Sequence, residues 1–200
     1  AEVTDIANAI YSYTDALMLS GETASGKYPL EAVKTMAAIA EQAEKDRNAM
    51  GEYEVPMNEN CSQREFLAHA AIDATRKLGV AGIITDSLTG ETVRHLAAFR
   101  GPNPILAICY NEKTQRWLNL SFGVIAIHQK DKISPNYMFT AALRMLRQKG
   151  YITLDDKIAY LSGSFGLGNP GGTTFLEINK VRQVFDKSYK FHLPNKETDK

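Results

Sequence analysis

The chain has 200 residues, 44% hydrophobic and 23% charged, with 23 Lys+Arg balancing 23 Asp+Glu. That composition suits one sizeable core, or one domain plus part of another, and excludes a disordered, collagen-like or disulfide-stapled molecule. Zero net charge leaves no general field for nucleic acid or an anionic membrane, so any anion site has to be local. Cys61 and Cys109 have neither CxxC nor Cys/His spacing and read as free thiols of a reducing compartment. No apolar run approaches the roughly 20 residues of a membrane span, and the amino end AEVTDIANAI has no signal-like core. A cytoplasmic location, with no nucleic-acid and no membrane partner, is the expectation.

Val3, Ile6, Ala7 and Ile10 fall at helical spacing from the first residues, as if the chain opened inside an element. With no initiator methionine at Ala1, a piece of a longer protein is expected. Asp15–Ser20 is a short apolar run that reads as a buried parallel strand, followed by the turn-rich loop 21–27. A helix begins at Pro29, with Leu30, Val33, Met36, Ala37 and Ala40 on one face, and continues to about Arg47. Residues 48–60 lose periodicity and form a connector, which places a boundary there.

Beyond it, helices and strands alternate. Helices are predicted over 62–78, 89–100, 112–120 and 135–149, and strands over 81–85, 104–109, 124–127 and 157–161. Strands too apolar for a wet face imply a parallel sheet covered by helices on both sides. The Gly-rich stretch 163–172 cannot be helical, and the strand composition of 173–178 follows it too closely for a parallel crossover. The last strand is therefore predicted to be antiparallel at an edge. The stretch from about Phe185 to Lys200 reads as a polar tail with a frayed end.

Three strand-following loops could bind a ligand. Ser87, Thr89, Gly90 and Thr92 would present amides and hydroxyls to a phosphate at a helix start; the alternative is that Thr89 simply caps that helix. The Gly-rich stretch, with Gly163, Gly171 and Gly172, lacks a Walker lysine and a following helix, and reads either as a plain hairpin loop or as a flap over the first turn. The third loop, Ser20, Gly21, Glu22 and Thr23, would lie at the carboxyl face of a β/α barrel, although a lone carboxylate is more often a structural group. His69, His95, His128 and His192 are scattered, Trp117 reads as packing, and no catalytic or metal-ligand constellation emerges.

AEVTDIANAI followed by TDALMLSGETASGKYPLEAVKTMAAI resembles the pyruvate kinase signature at the end of the catalytic barrel. Asn111, Thr114, Arg116, Leu120, Gly123, Gly150-Tyr151, Asp155-Asp156 and Gly172-Thr-Thr resemble the same family's C-terminal domain in order and spacing. The resemblance implies a remnant of a (β/α)8 barrel over 1–48, a linker over 49–61, a C-terminal allosteric domain over 62–184 and a tail over 185–200. The implied fold class is α/β: a three-layer domain on a mostly parallel five-stranded sheet with an antiparallel edge strand, preceded by the last βα unit of a TIM barrel.

The resemblance also implies a parent enzyme that transfers phosphate from phosphoenolpyruvate to ADP in glycolysis, with Mg2+ and K+ as cofactors, as a homo-oligomer, usually a tetramer. The family's catalytic lysine, its metal-holding carboxylates and its nucleotide-binding residues lie upstream of Ala1, so this chain is expected to hold no catalytic residue and no cofactor, and to be inactive. An isolated last barrel unit is expected to expose Leu17, Met18 and Val33. The implied effector site combines the 87–92 turn with the 162–172 flap. Leu88, Glu91 and Met138 replace the cationic residues of the fructose 1,6-bisphosphate version, so another sugar phosphate, AMP or an unregulated site is expected; Arg94, Arg100, Lys113 and Arg116 could supply charge. The alternative is a stand-alone phosphate-ligand or assembly module, and the least favoured reading is a phosphotransferase-like domain using His128.

Overall fold

The computed structural model describes residues 2–51, 55–129, 135–163 and 172–191, without the side chains of 135–138 and 187–191. The chain divides into two compact units, Ala1–Glu54 and Val55–Lys200.

In the first unit, helix α1 spans Glu2–Tyr11, the single turn α2 spans Gly21–Ala24 and helix α3 spans Pro29–Ala49, with its proline at the first helical position. Arg47 ties α3 to α1: its guanidinium donates to the Ile10 carbonyl at 3.2 Å and lies over the Tyr13 ring at 4.7 Å. The predicted strand over Asp15–Ser20 does not form. A strand needs a neighbour for its N–H and C=O groups, and among the described residues no other strand lies in this unit. Only Ile10 and Ala43 are buried among residues 2–51. As expected, Met18 and Val33 stand 87% and 46% exposed, whereas Leu17 is half-buried.

The second unit follows the predicted alternation closely. Its elements are α4 (Gln63–Lys77), β1 (Val80–Ser87), α5 (Glu91–Ala98), β2 (Ile105–Cys109), α6 (Glu112–Leu118), β3 (Val124–His128), α7 (Pro135–Gln148), β4 (Lys157–Ser162), β5 (Phe175–Lys180) and α8 (Val181–Phe191). Side chains mark the helix starts: Ser62 Oγ accepts from the Glu65 N–H at 3.2 Å, and Asn111 Oδ1 accepts from the Lys113 N–H at 2.7 Å. The sheet order is β3-β2-β1-β4-β5, parallel throughout except for antiparallel β5. The α/β class and the antiparallel edge strand hold.

Two apolar layers sandwich the sheet. On one face Ala71, Ile72, Val93, Leu96 and Leu118 of α4, α5 and α6 pack on Ile83, Ala107 and Leu161. On the other, Leu143 and Leu146 of α7 and Val181 of α8 pack on Ile84, Leu106, Ile108 and Ile158. Helix α8 runs through the start of the stretch read as a tail, because Val181, Val184 and Phe185 recur at helical spacing and close the second layer. Residues 192–200 lie outside the described residues. Both cysteines are free thiols, and burial pushes that of Cys109 up to about 11. Among the described residues no helix is long and apolar enough to cross a membrane.

Candidate functional site

Strand pairing sets the carboxyl ends of β1, β2 and β4 side by side, with Ser87 opposite Cys109 and Thr85 opposite Leu161. The chain leaves β1 through a tight turn into α5. Gly90 occupies the N-cap position with φ +86°, so the helix starts at Glu91, and the expectation that Thr89 caps it is not met. The turn is closed from the other side: Ser87 Oγ accepts from the Gly90 N–H at 2.7 Å. That bond occupies a lone pair of Ser87 and leaves its O–H free to donate. The first bond of the helix runs from the Arg94 N–H to the Gly90 carbonyl, which leaves the N–H groups of Glu91, Thr92 and Val93 without acceptors within the helix.

Thr92 reaches the opposite loop. Its hydroxyl meets that of Thr173 at 2.7 Å, both side chains being buried, and the Thr174 N–H donates to the Ser162 carbonyl at 2.9 Å. Gly163 and Gly172 approach so closely that a Cβ on Gly163 would run into the Gly172 carbonyl. The structure thus brings Ser87, Gly90, Thr92, Gly163 and Gly172 to one end of the sheet. Thr89 is exposed on the turn, and Gly171, with the rest of 164–171, lies outside the described residues.

Charge near the turn comes from a residue that the sequence reading did not single out. Arg64, on α4, makes an ion pair with Glu91. Of the four basic residues expected to serve the site, Arg94 lies over the Trp117 ring at 4.8 Å, Arg100 lies over the Phe122 ring at 4.8 Å, Arg116 pairs with Glu112 at 3.3 Å and Lys113 is exposed on α6. Trp117 is 46% exposed, with its edge against Gly90, while Thr114 Oγ1 donates to the Leu88 carbonyl at 3.3 Å.

A second polar group stands beside the turn on the α7 side of the sheet. Ser162 Oγ donates to Asp86 Oδ1, and the Tyr110 hydroxyl donates to Asp86 Oδ2 at 3.4 Å. Burial, then the Asp86 charge, pushes the hydroxyls of both Tyr110 and Tyr160 above the usual tyrosine range, so both remain protonated donors. Phe139 stacks on Tyr160 at 4.1 Å and closes the group from α7.

The barrel-loop candidates form a turn closed on itself. Glu22 Oε2 accepts from the Ser20 N–H at 2.8 Å, and Thr23 Oγ1 donates to the Ser20 carbonyl at 3.3 Å, with Gly21 opening the turn. Hydrogen bonds from its own N–H and that of Ser20 hold the Glu22 carboxyl below its usual range. Its partners are backbone, as for a structural group. Of the histidines, His69 packs edge-on against Phe99, His128 faces Glu112 at 3.8 Å, His95 lies on α5 and His192 is outside the described residues.

Comparison with known proteins gives these features a family. The model described as pyruvate kinase, alpha/beta domain, matches residues 65–179, more than half of the chain. The chain belongs to the pyruvate kinase family. The model described as pyruvate kinase, barrel domain, matches residues 1–33 ahead of it. The pyruvate kinase of Borreliella burgdorferi is 40% identical over 186 residues, covering 92% of this chain and 39% of the relative. That of Bacillus licheniformis is 35% identical over 192 residues, covering 94% and 32%, and pyruvate kinase 2 of a Synechocystis strain is 33% identical over 187, covering 94% and 31%. The chain therefore spans only a third or so of the length of these relatives. Among the described residues no three His, Cys, Asp or Glu side chains group so as to hold a metal ion.

Proposed function

We propose that the chain is the regulatory and oligomerisation portion of a pyruvate kinase whose complete form transfers phosphate from phosphoenolpyruvate to ADP with Mg2+ and K+ in the cytoplasm. In this reading residues 1–48 end the catalytic barrel, 49–61 link, 62–184 form the allosteric domain and 185–200 end the chain, the order in which the two family models match. Phosphoryl transfer needs a positioned lysine and metal-holding carboxylates together, and among the described residues no group of three His, Cys, Asp or Glu side chains could hold a metal ion. The 200-residue chain by itself is accordingly inactive. Turnover above background in a coupled pyruvate assay with purified chain would refute this.

The regulatory part of the proposal is a phosphorylated small-molecule effector held by Ser87, Thr89, Gly90 and Thr92, with Gly163, Gly171 and Gly172 on the facing loop. The observation that carries it is the buried Thr92–Thr173 hydrogen bond, which joins the first turn of α5 to the far end of that loop. Three helix-start amides and the Ser87 hydroxyl suit a phosphate oxygen set, and Arg64 offsets the charge of Glu91 beside it. Calorimetric titration of the chain with sugar phosphates and AMP tests the reading; no heat from any of them at millimolar concentration would end it.

A second reading, assembly, is favoured by β5. Among the described residues it pairs with β4 alone and ends the sheet, so its outer N–H and C=O groups can extend the ladder to another copy. Sedimentation that shows only monomer at high micromolar concentration would count against it.

A further inference from the structure

Arg64 stands where its own helix disfavours a cation. Ser62 caps α4 and Gln63 opens it, so Arg64 lies in the first turn, at the positive end of the helix dipole. Its side chain is only 22% exposed, so water does little to offset that cost. The anion it meets is Glu91, the first residue of α5. Topology explains the meeting. Helix α4 leads into the amino end of β1 and packs back along it, which sets its first turn at the carboxyl end of the sheet, beside the Ser87–Thr92 turn.

The turn itself, Ser-Leu-Thr-Gly-Glu-Thr, contains one carboxylate and no cation. A phosphate on the amides of Glu91, Thr92 and Val93 carries close to two negative charges, and their repulsion of the Glu91 carboxylate favours moving that side chain outward. Glu91 has room to do so, with its side chain 47% exposed. Arg64 has less, and it keeps its need for an anion. A phosphate offers the planar fork of a guanidinium a more highly charged partner than a carboxylate does. The two anions therefore compete for one cation.

We infer that Arg64 and Glu91 form an anion-operated latch: with the turn empty Glu91 holds Arg64, and with a phosphate on the turn Arg64 exchanges Glu91 for the phosphate. This rests on the phosphate reading of the turn and adds what its occupation does to the rest of the domain. Arg64 lies two residues past Ser62, where the connector ends. The connector is tied to that point: Val55 packs on the apolar layer of α4 and α5, the Cys61 N–H donates to the Asn58 carbonyl at 3.1 Å, and Ser62 Oγ accepts from the Glu65 N–H. A shift of Arg64 therefore moves the chain that enters α4 as well as the turn.

The test titrates inorganic phosphate into the 200-residue chain and follows backbone amides and arginine Nε–H groups by proton–nitrogen NMR. In the wild-type chain the amides of Glu91, Thr92 and Val93, the Arg64 Nε–H and the amides of 57–65 are expected to shift with one common midpoint. Glu91→Gln, which removes the competing charge, is expected to bind phosphate about 10-fold more tightly, and Arg64→Gln about 10-fold more weakly, the scale of one hydrogen bond to a charged group. In Arg64→Gln the turn amides should still shift, at higher phosphate, while those of 57–62 stay in place. Shifts at the turn without shifts at the Arg64 Nε–H and 57–65, or equal affinity in the wild-type chain and Glu91→Gln, would overturn the latch and leave the phosphate reading standing. No shift at Glu91, Thr92 and Val93 at tens of millimolar phosphate would overturn that reading and the latch with it. Should Arg64→Gln fail to fold, the wild-type chain against Glu91→Gln still decides.

Discussion

Gly90 concentrates two constraints in one residue. Its φ of +86° lies where an L side chain is strained, and a Cβ there would come within 3.0 Å of Leu118 Cδ2 and 3.2 Å of Trp117 Cζ3. The backbone cost of about 1 kcal/mol is therefore joined by displacement of the indole that flanks the turn. Gly90→Ala is expected to lose about 1–3 kcal/mol in urea unfolding and to shift the emission of Trp117, the sole tryptophan. Unchanged stability together with unchanged emission would show that the turn does not depend on this glycine. The turn was legible in Ser-Leu-Thr-Gly-Glu-Thr as a helix start, but its wiring was not. Several residues of that run can cap, and only the positive φ of Gly90 decides that Ser87 closes the turn and Thr89 does not. Arg64 and Asp86 left no local signal. Arg64 meets Glu91 from a separate helix, and Asp86 meets Ser162 of β4 and Tyr110 just past the end of β2, so both belong to tertiary pairing.

At the scale of elements, the strands and helices of the second unit were readable because each apolar run matches one period and one face. The two elements misread went wrong for opposite reasons. Asp15–Ser20 has strand composition but no strand beside it, so its backbone has no ladder to join. Helix α8 was masked by its charged residues, yet it is anchored from its first turn: the Val181 N–H donates to the Asp156 carbonyl at 2.9 Å, and that of Arg182 to the Leu154 carbonyl at 3.0 Å. Arg182 also pairs with Asp155 at 2.8 Å. Val181 is fully buried against the α7 layer, so Val181→Ala removes two methyl groups from a packed site. The expected loss is about 2 kcal/mol, whereas Arg182→Ala, at an exposed ion pair, should cost less than about 1 kcal/mol. If the two variants had equal urea midpoints, α8 would not belong to the cooperative core.

For the whole molecule, the two units differ in what can hold them folded. The second encloses two apolar layers around a five-stranded sheet, the source of a cooperative transition. The first buries only Ile10 and Ala43 among its described residues and leaves Leu30 60% and Met18 87% exposed. Full burial of a large side chain is worth about 1.5–3 kcal/mol, while ordering the backbone costs about 1–2 kcal/mol per residue, so two buried side chains cannot by themselves hold a unit of this size. Its groove of about 560 Å3, lined by Val3, Ala7, Tyr11, Ala38 and Ile39, is an apolar face that the rest of a barrel would cover if the proposed parent is correct. Hydrogen exchange followed by mass spectrometry should therefore divide the chain in two. Amides of α1 and α3 should exchange within minutes at neutral pH, through local opening of small free energy, while those of β1, β2 and β4 should need global unfolding. Protection of α3 equal to that of β1 would mean that the first unit is held by more than its own core. Under the proposed parent, a chain extended at its amino end by a complete barrel is expected to show slow exchange in α1 and α3, with no change in β1.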